Sequence, residues 1–219
     1  PQVLIHAYLK NDELTVSFDL TGYSLHQRGY RQRAGMAPIK ENVAVALLMR
    51  AKWLQLAEQG YSLHDPFCGS GTIVIEAAMM AAHVAPGLLR QDQSLQHWAQ
   101  HQNSLWEKLR VQALQAVRPI SGTLLGTDTD ARAIALARDN AEKAGVLPLV
   151  HFELNPLTEI KANAEKGLVL CNPPYGERLG EVSQLVPIYQ QLGATLHDNY
   201  QGWNAAFITS SPVLAKATG

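Results

Sequence analysis

The sequence predicts an α/β domain, a mostly parallel sheet with helices on both faces, preceded by a β-hairpin that belongs to a different unit. Three observations lead there. Past residue 60, short apolar runs of strand length alternate with segments of helical period. Strands separated by whole helices are joined by crossovers, which makes them parallel and buries them on both faces. The first of these strands ends in a glycine turn, Gly69-Ser70-Gly71, that opens directly onto a helix.

The hairpin comes first in the chain. Val3, Ile5, Ala7 and Leu9 alternate with polar or amphipathic neighbours, as do Leu14, Val16, Phe18 and Leu20, and Asn11-Asp12 between the runs is turn chemistry. A two-stranded hairpin is marginal alone, so it is expected to complete a sheet elsewhere. A linker follows, with Arg28, Arg31, Arg33 and Lys40 inside 13 positions. Two readings stand for it: arginines paired with nearby carboxylates, or a phosphate-contacting edge of an RNA site. Residues 1–35 thus form one predicted unit and residues 36–219 the α/β domain.

From Pro38 the period becomes helical. Ala44, Leu47, Leu48, Ala51 and Leu54 make one stripe, Pro38 and Glu41 suit its start, and Gly60 suits its end. Strands are predicted at 61–67, 123–127, 150–154, 167–171 and 205–209. Helices are predicted at 72–82 and after the second strand, where Ile134, Ala137, Ala141 and Ala144 share a face and Gly145 lies past the end. Residues 83–119 insert extra helix carrying Trp98 and Trp106.

Composition sets the limits. Hydrophobic residues make up 47% of 219, enough for a sizeable core and too many for a disordered chain. No apolar run reaches the ~18 residues of a membrane span, and no signal-peptide pattern opens at Pro1. Two cysteines exclude a disulfide scaffold and suit a reducing, cytoplasmic setting. A net charge of −1 is poor for gripping nucleic acid unaided, so an RNA substrate would need help from another part of the protein. The start at Pro1 without an initiator Met predicts a piece of a longer chain.

Three motifs fall at predicted strand ends, where open α/β sheets bind ligands. The first is Asp65-Pro66-Phe67-Cys68-Gly69-Ser70-Gly71-Thr72. Its glycines permit a tight turn and close backbone approach to a ligand. Val74 stands where a dinucleotide motif has its third glycine, and no Lys follows as in a P-loop, so both of those readings are disfavoured. The second is Gly126-Thr127-Asp128-Thr129-Asp130. Here Asp128 suits a ribose diol and Asp130 a helix N-cap. The third is Cys171-Asn172-Pro173-Pro174-Tyr175-Gly176. The Asn172 side-chain oxygen and the Pro173 carbonyl can accept hydrogens from one planar amine, and Tyr175 offers a stacking face. Asn-Pro-Pro is also a common turn stop, and the strand context is what favours the functional reading.

Together these motifs resemble the class I S-adenosylmethionine (SAM)-dependent methyltransferases that act on exocyclic amines, with their Rossmann-like fold. Further stretches narrow the resemblance: Arg28-Gly29-Tyr30-Arg31, residues 37–42, Ile75-Glu76-Ala77-Ala78, Ala85-Pro86-Gly87-Leu88, Trp98-Ala99-Gln100-His101 with Trp106, and residues 172–179. They look like the THUMP-associated RNA methyltransferases, closest to the bacterial guanine-N2 enzymes of 23S ribosomal RNA, and the likeness runs the length of the chain. It implies SAM as cofactor, S-adenosylhomocysteine as product, 23S rRNA as substrate, and partners within one longer protein: an upstream THUMP domain and a second methyltransferase domain. No membrane partner is implied. Residue by residue, it assigns Asp65, Phe67, Cys68, Gly69, Ser70, Gly71, Thr72, Asp128, Thr129 and Asn172 to the cofactor. Asn172, Pro173, Pro174 and Tyr175 fall to the target base.

Two departures stand out. The family commonly has an Asp after the third strand, near the cofactor adenine, where this chain has Asn155-Pro156. The fold normally has seven strands, and five are predicted, as if the C-terminal strands were trimmed. Competing chemistries remain open at this point: glutamine-N5 methylation of a protein, adenine-N6 methylation of DNA, or a non-catalytic RNA-binding module. Cys171 as a cytosine-C5 nucleophile is disfavoured, because strand alternation turns it opposite to Asn172. His97 and His101, four apart on a predicted helix, lack the Glu and third ligand of a zinc site.

Overall fold

The computed structural model describes residues 3–31, 39–90, 94–175 and 182–219. Two strands, β1 (Leu4–Lys10) and β2 (Glu13–Asp19), pair antiparallel with Lys10 opposite Glu13. Asn11 and Asp12 sit at φ 50° and 61°, the two left-handed positions of a type I′ hairpin turn, which short Asx side chains tolerate. The pairs Ile5–Phe18, Ala7–Val16 and Leu9–Leu14 share one face, and every large apolar residue on it is exposed. Phe18 alone meets a ring from the body, Trp98, at 5.1 Å among the described residues.

Helices α1 (Glu41–Arg50) and α2 (Trp53–Glu58) replace the single helix expected over 38–60. Lys52 turns left-handed at φ 57° and breaks the run. The break shifts the phase: Ala44 and Leu48 are buried as expected, but Trp53 takes the core position in place of Leu54, which is 39% exposed. The Trp53 indole N–H donates to the Ala77 carbonyl at 2.9 Å, and that long-range contact outweighs the local period. Pro38, the expected helix start, lies outside the described residues.

The remaining strands are β3 (Ser62–Asp65), β4 (Leu124–Asp128), β5 (Val150–Leu154), β6 (Gly167–Cys171) and β7 (Asn204–Phe207). They form one parallel sheet in the order β5-β4-β3-β6-β7. The order reverses between β3 and β6, so a crevice opens at their carboxyl ends. Helices α3 (Thr72–Ala81), α5 (Ala131–Lys143) and α6 (Val182–Asn199) cross between strands, and α7 (Pro212–Ala217) follows β7. α3 is buried on nearly every side, as its apolar sequence requires. Gly145 ends α5 at φ 71°, as read from the sequence.

The insertion supplies α4 (Asn103–Gln115), none of whose residues is fully buried. His97 closes a separate 3-10 turn (Ser94–His97) and His101 precedes α4, so the two histidines do not share a helix. No group of three metal-capable side chains gathers among the described residues. None of the described helices is long and apolar enough to cross a membrane.

Two of the linker arginines face carboxylates of the fold. Arg28 faces Glu76 of α3 at 3.5 Å, and Arg31 pairs with Glu41 of α1 at 2.6 Å. Tyr30, fully buried between them, donates its hydroxyl to Glu76 at 3.0 Å. Burial pushes the Glu76 carboxyl up, while Arg28 and the Tyr30 hydroxyl hold it down. Arg33 lies outside the described residues, and Lys40 is exposed ahead of α1.

Candidate active site

Strand order alone brings the three motifs together, since β4 and β6 flank β3. The glycine loop is pinned by its main chain. Cys68 N–H donates to the Thr127 carbonyl at 3.0 Å, Gly71 N–H to the Cys68 carbonyl at 2.8 Å, and Gly69 N–H to Asp128 Oδ2 at 2.9 Å. Asp128 Oδ1 accepts from Asp130 N–H at 3.0 Å, so one half-buried carboxylate holds both loops. Asp130 caps α5 by accepting from Arg132 N–H at 2.8 Å, which separates the two aspartates as expected. Thr129 is exposed.

Each loop glycine has its own reason. Gly71 sits at φ +82°, and a Cβ there would meet the Phe152 ring at 2.9 Å and Ala137 at 3.0 Å. Gly126 would meet Phe152 at 2.8 Å and Cys68 Cβ at 2.9 Å. Gly69, at φ +51°, would meet nothing within 4 Å. Phe152 therefore packs under the loop, and open space lies over it beside Asp128.

Asp65 is buried, and its Oδ1 accepts from Phe67 N–H at 3.1 Å. Burial first, and the Asp128 charge after it, push its carboxyl up to about 8 against the pull of the Phe67 hydrogen bond. Ser70 and Thr72 are buried, with their hydroxyls 3.5 Å apart. Cys68 turns its thiol into the core, and burial pushes that thiol up.

At the end of β6, Cys171 is 1% exposed and burial drives its thiol well above the usual range, so no thiolate is available for attack on a base. Asn172 is half-buried, and its Oδ1 is buried without a hydrogen-bond partner among the described residues. Pro173 is buried and Pro174 half-buried. Tyr175 packs against a cluster of Leu185, Tyr189 and Leu214. Gly176 and the rest of the stretch to residue 179 lie outside the described residues. After β5, Asn155 N–H donates to the Asp128 carbonyl at 3.1 Å, and its side-chain amide reaches Glu153 at 3.4 Å.

Sequence reasoning missed three supporting residues. Asn140 of α5 is buried and donates to the Ser70 carbonyl at 3.0 Å; its only signal was a polar residue inside an apolar helix stripe. Phe152 read as an ordinary strand residue. His64 lies behind Asp65, with Nε2 3.0 Å from the Thr127 hydroxyl and Nδ1 2.5 Å from the Tyr200 hydroxyl. Burial pushes His64 down to about 4, so it stays neutral and ties β3, β4 and the end of α6 together.

An open parallel sheet with a glycine loop, an acidic strand end and an Asn-Pro-Pro-Tyr strand end around one crevice defines a Rossmann-like methyltransferase domain. Sequence comparison agrees over residues 28–219, and the chain belongs to the RMKL-like methyltransferase domain family. It is 74% identical over 219 residues to ribosomal RNA large subunit methyltransferase K/L of Legionella pneumophila (strain Corby) and 45% identical over 224 residues to the protein of that name from Allochromatium vinosum. All of this chain is covered in both, but it spans only 31% and 30% of those proteins. Among solved structures it resembles a methyltransferase complexed with S-adenosylhomocysteine, at TM-score 0.87 and 32% identity, covering 98% of this chain and 55% of that one. A protein from Listeria monocytogenes described as a predicted N6-adenine-specific DNA methylase matches at TM-score 0.86 and 33% identity, with the same coverage.

Proposed function

We propose that this chain binds SAM across the carboxyl ends of β4, β3 and β6 and methylates the N2 amine of a guanine in 23S ribosomal RNA. The observation that carries the acceptor class is the Asn172 oxygen beside Pro173, buried and without a partner among the described residues. A buried carbonyl without a donor costs about 1–3 kcal/mol, and an incoming amine would satisfy it. The residues also fit the cofactor. Asp128 has lone pairs left for a ribose diol, the space over Gly69 is open, and Asp65, protonated in the free chain, would ionise against the methionine amine.

Bound SAM supplies an already activated methyl group, so the chain's task is orientation. Asn172 Oδ1 and the Pro173 carbonyl would accept both amine hydrogens, leaving the nitrogen lone pair free of the ring. Tyr175, braced by Leu185 and Leu214, would stack on the base and return about 1–3 kcal/mol of the few kcal/mol spent in unstacking it. No base is required of the protein before transfer, because the amine sheds its proton only after it gains the methyl.

Residues 1–35 are inferred to be the remainder of an adjoining unit and residues 36–219 the methyltransferase domain. In a protein of the relatives' length, a THUMP domain and a second methyltransferase domain would supply RNA affinity, in the cytoplasm. The test is methyl transfer from radiolabelled SAM to 23S rRNA, to DNA and to a glutamine peptide, with nucleoside analysis of the product. N2-methylguanosine supports the reading. Label only in N6-methyladenine of DNA, as the Listeria relative's description would suggest, refutes it.

A further inference from the structure

We propose that the cleft between the linker and the 3-10 turn Pro86–Leu89 is a phosphate site for an RNA strand, held by Arg28 and Arg90. The inference rests on the RNA reading above. The cleft encloses about 140 Å³ and is lined by Thr21, Leu25, Arg28, Pro86, Gly87 and Arg90. At ~30 Å³ per water this is room for about four or five waters, or for one phosphate group with little water, and too small for a nucleoside.

Charge is the main argument. Arg90 is 6% exposed. Its Nη2 donates to the Thr21 and Tyr23 carbonyls at 2.7 and 3.1 Å, its Nη1 reaches the Ser24 carbonyl at 3.5 Å, and its guanidinium lies 4.0 Å over the Tyr23 ring. Those contacts fix its position, but no carboxylate among the described residues pairs with it. A buried cation is costly unless an anion balances it. Arg28 is the second guanidinium; its Nη1 donates to the Leu25 carbonyl at 2.7 Å, and its Nε faces Glu76 at 3.5 Å. Among the described residues the other nearby carboxylate, Asp19, is taken by Thr21 and the Gly22 N–H and does not line the cleft. Two guanidiniums therefore share one carboxylate among the described residues, and single N–H donors remain to meet phosphate oxygens.

The wall and the placement suit this ligand. A Cβ on Gly87 would meet nothing within 4 Å, and Gly87 is not in the left-handed region. Arg28 ties the cleft to Glu76 of α3, which stands about 6 Å along the helix axis from Thr72 of the glycine loop. A strand whose base enters the crevice would pass its backbone close to it. A chain of net charge −1 needs its positive charge concentrated at such places.

Gly87→Glu sets a carboxylate in the cleft, and Gly87→Gln controls for bulk. The probe is a short fluorescein-labelled oligoribonucleotide of mixed sequence, titrated by anisotropy at several salt concentrations. Gly87→Glu is expected to weaken binding about tenfold and to make the salt slope shallower by about 0.7, the value for one phosphate on a single strand. Gly87→Gln should lose far less, and SAM titration should be unchanged in both. Wild-type RNA affinity and slope in Gly87→Glu overturn the proposal. So does protection against melting by inorganic phosphate that Gly87→Glu abolishes while RNA binding stays put, since the site would then take free phosphate. Failure of the wild-type chain to bind SAM refutes the proposed function instead, and the RNA titrations still decide this site.

Discussion

Replacing Asn172 should separate stability from activity. Its Oδ1 is buried without a donor among the described residues, and an unsatisfied buried carbonyl costs about 1–3 kcal/mol. Asn172→Ala removes that penalty and gives up a few packed atoms of a half-buried side chain, leaving a net gain of about 1 kcal/mol. For a chain of this size that is a melting temperature higher by roughly 2–4 °C. Transfer should fall by about 10²-fold or more, the scale on which single orienting hydrogen bonds at a reacting centre act, while SAM affinity changes little. Differential scanning fluorimetry and single-turnover transfer from radiolabelled SAM give the two numbers. A drop of several degrees would mean that Oδ1 holds the fold together, and retained transfer would mean that it holds no amine. Either result refutes the reasoning.

Three further outcomes follow from the same geometry. Asp65, raised to about 8 by burial, is largely protonated at neutral pH; ionising it costs stability, so the free chain should lose stability as pH rises from ~4 toward 8, while a cationic ligand that favours the ionised form should bind up to about tenfold tighter per pH unit over pH 6–8. Calorimetric titration would show proton release on SAM binding, and Asp65→Asn should abolish it. Gly126→Ala forces a methyl to within 2.8 Å of Phe152 and should cost about 1–3 kcal/mol, with Phe152→Leu restoring part of the melting temperature; additive losses would show that the ring is not the obstacle. Asp128→Ala leaves the Gly69 and Asp130 N–H groups without their acceptor and should weaken SAM binding about tenfold or more by titration; unchanged affinity would remove Asp128 from the ribose.

What could be read from the sequence was local. Asn11-Asp12 tolerates the two left-handed positions of a hairpin turn, Gly145 ends a helix, and the strand runs declare themselves by length and composition. The Cys171–Asn172 alternation correctly turned one residue inward. What escaped was decided across the chain. Nothing near Lys52 announces a left-handed break, because Trp53 and its bond to the Ala77 carbonyl supply the reason from 24 residues away. Arg28 and Arg31 look like a basic patch until α3 and α1 bring Glu76 and Glu41 to them. Phe152 cannot be seen to shape Gly71 and Gly126 until β5 is laid beside β4.

The same division bears on how the chain works. The crevice is built almost wholly from main chain: strand ends, a pinned glycine loop and two proline-stiffened residues, with Asp65, Asp128 and Asn172 as its polar side chains. Such a site can orient a small reacting centre, but it offers little area for holding a long polyanion; Arg31 is engaged with Glu41 in the fold, which leaves the Arg28–Arg90 cleft as the place for one phosphate. The apolar face of the hairpin, with Ile5, Leu9, Leu14 and Val16 between 54% and 69% exposed, is a second incomplete surface. Water is a poor partner for such a face, at roughly 25 cal/mol per Å² of apolar area left uncovered. A chain that spans 31% of its Legionella relative leaves room for a partner segment in a longer polypeptide. On the proposed function, the division of labour would be that this domain supplies geometry at one amine and one phosphate contact, with most of the affinity for the surrounding RNA coming from elsewhere in a longer polypeptide.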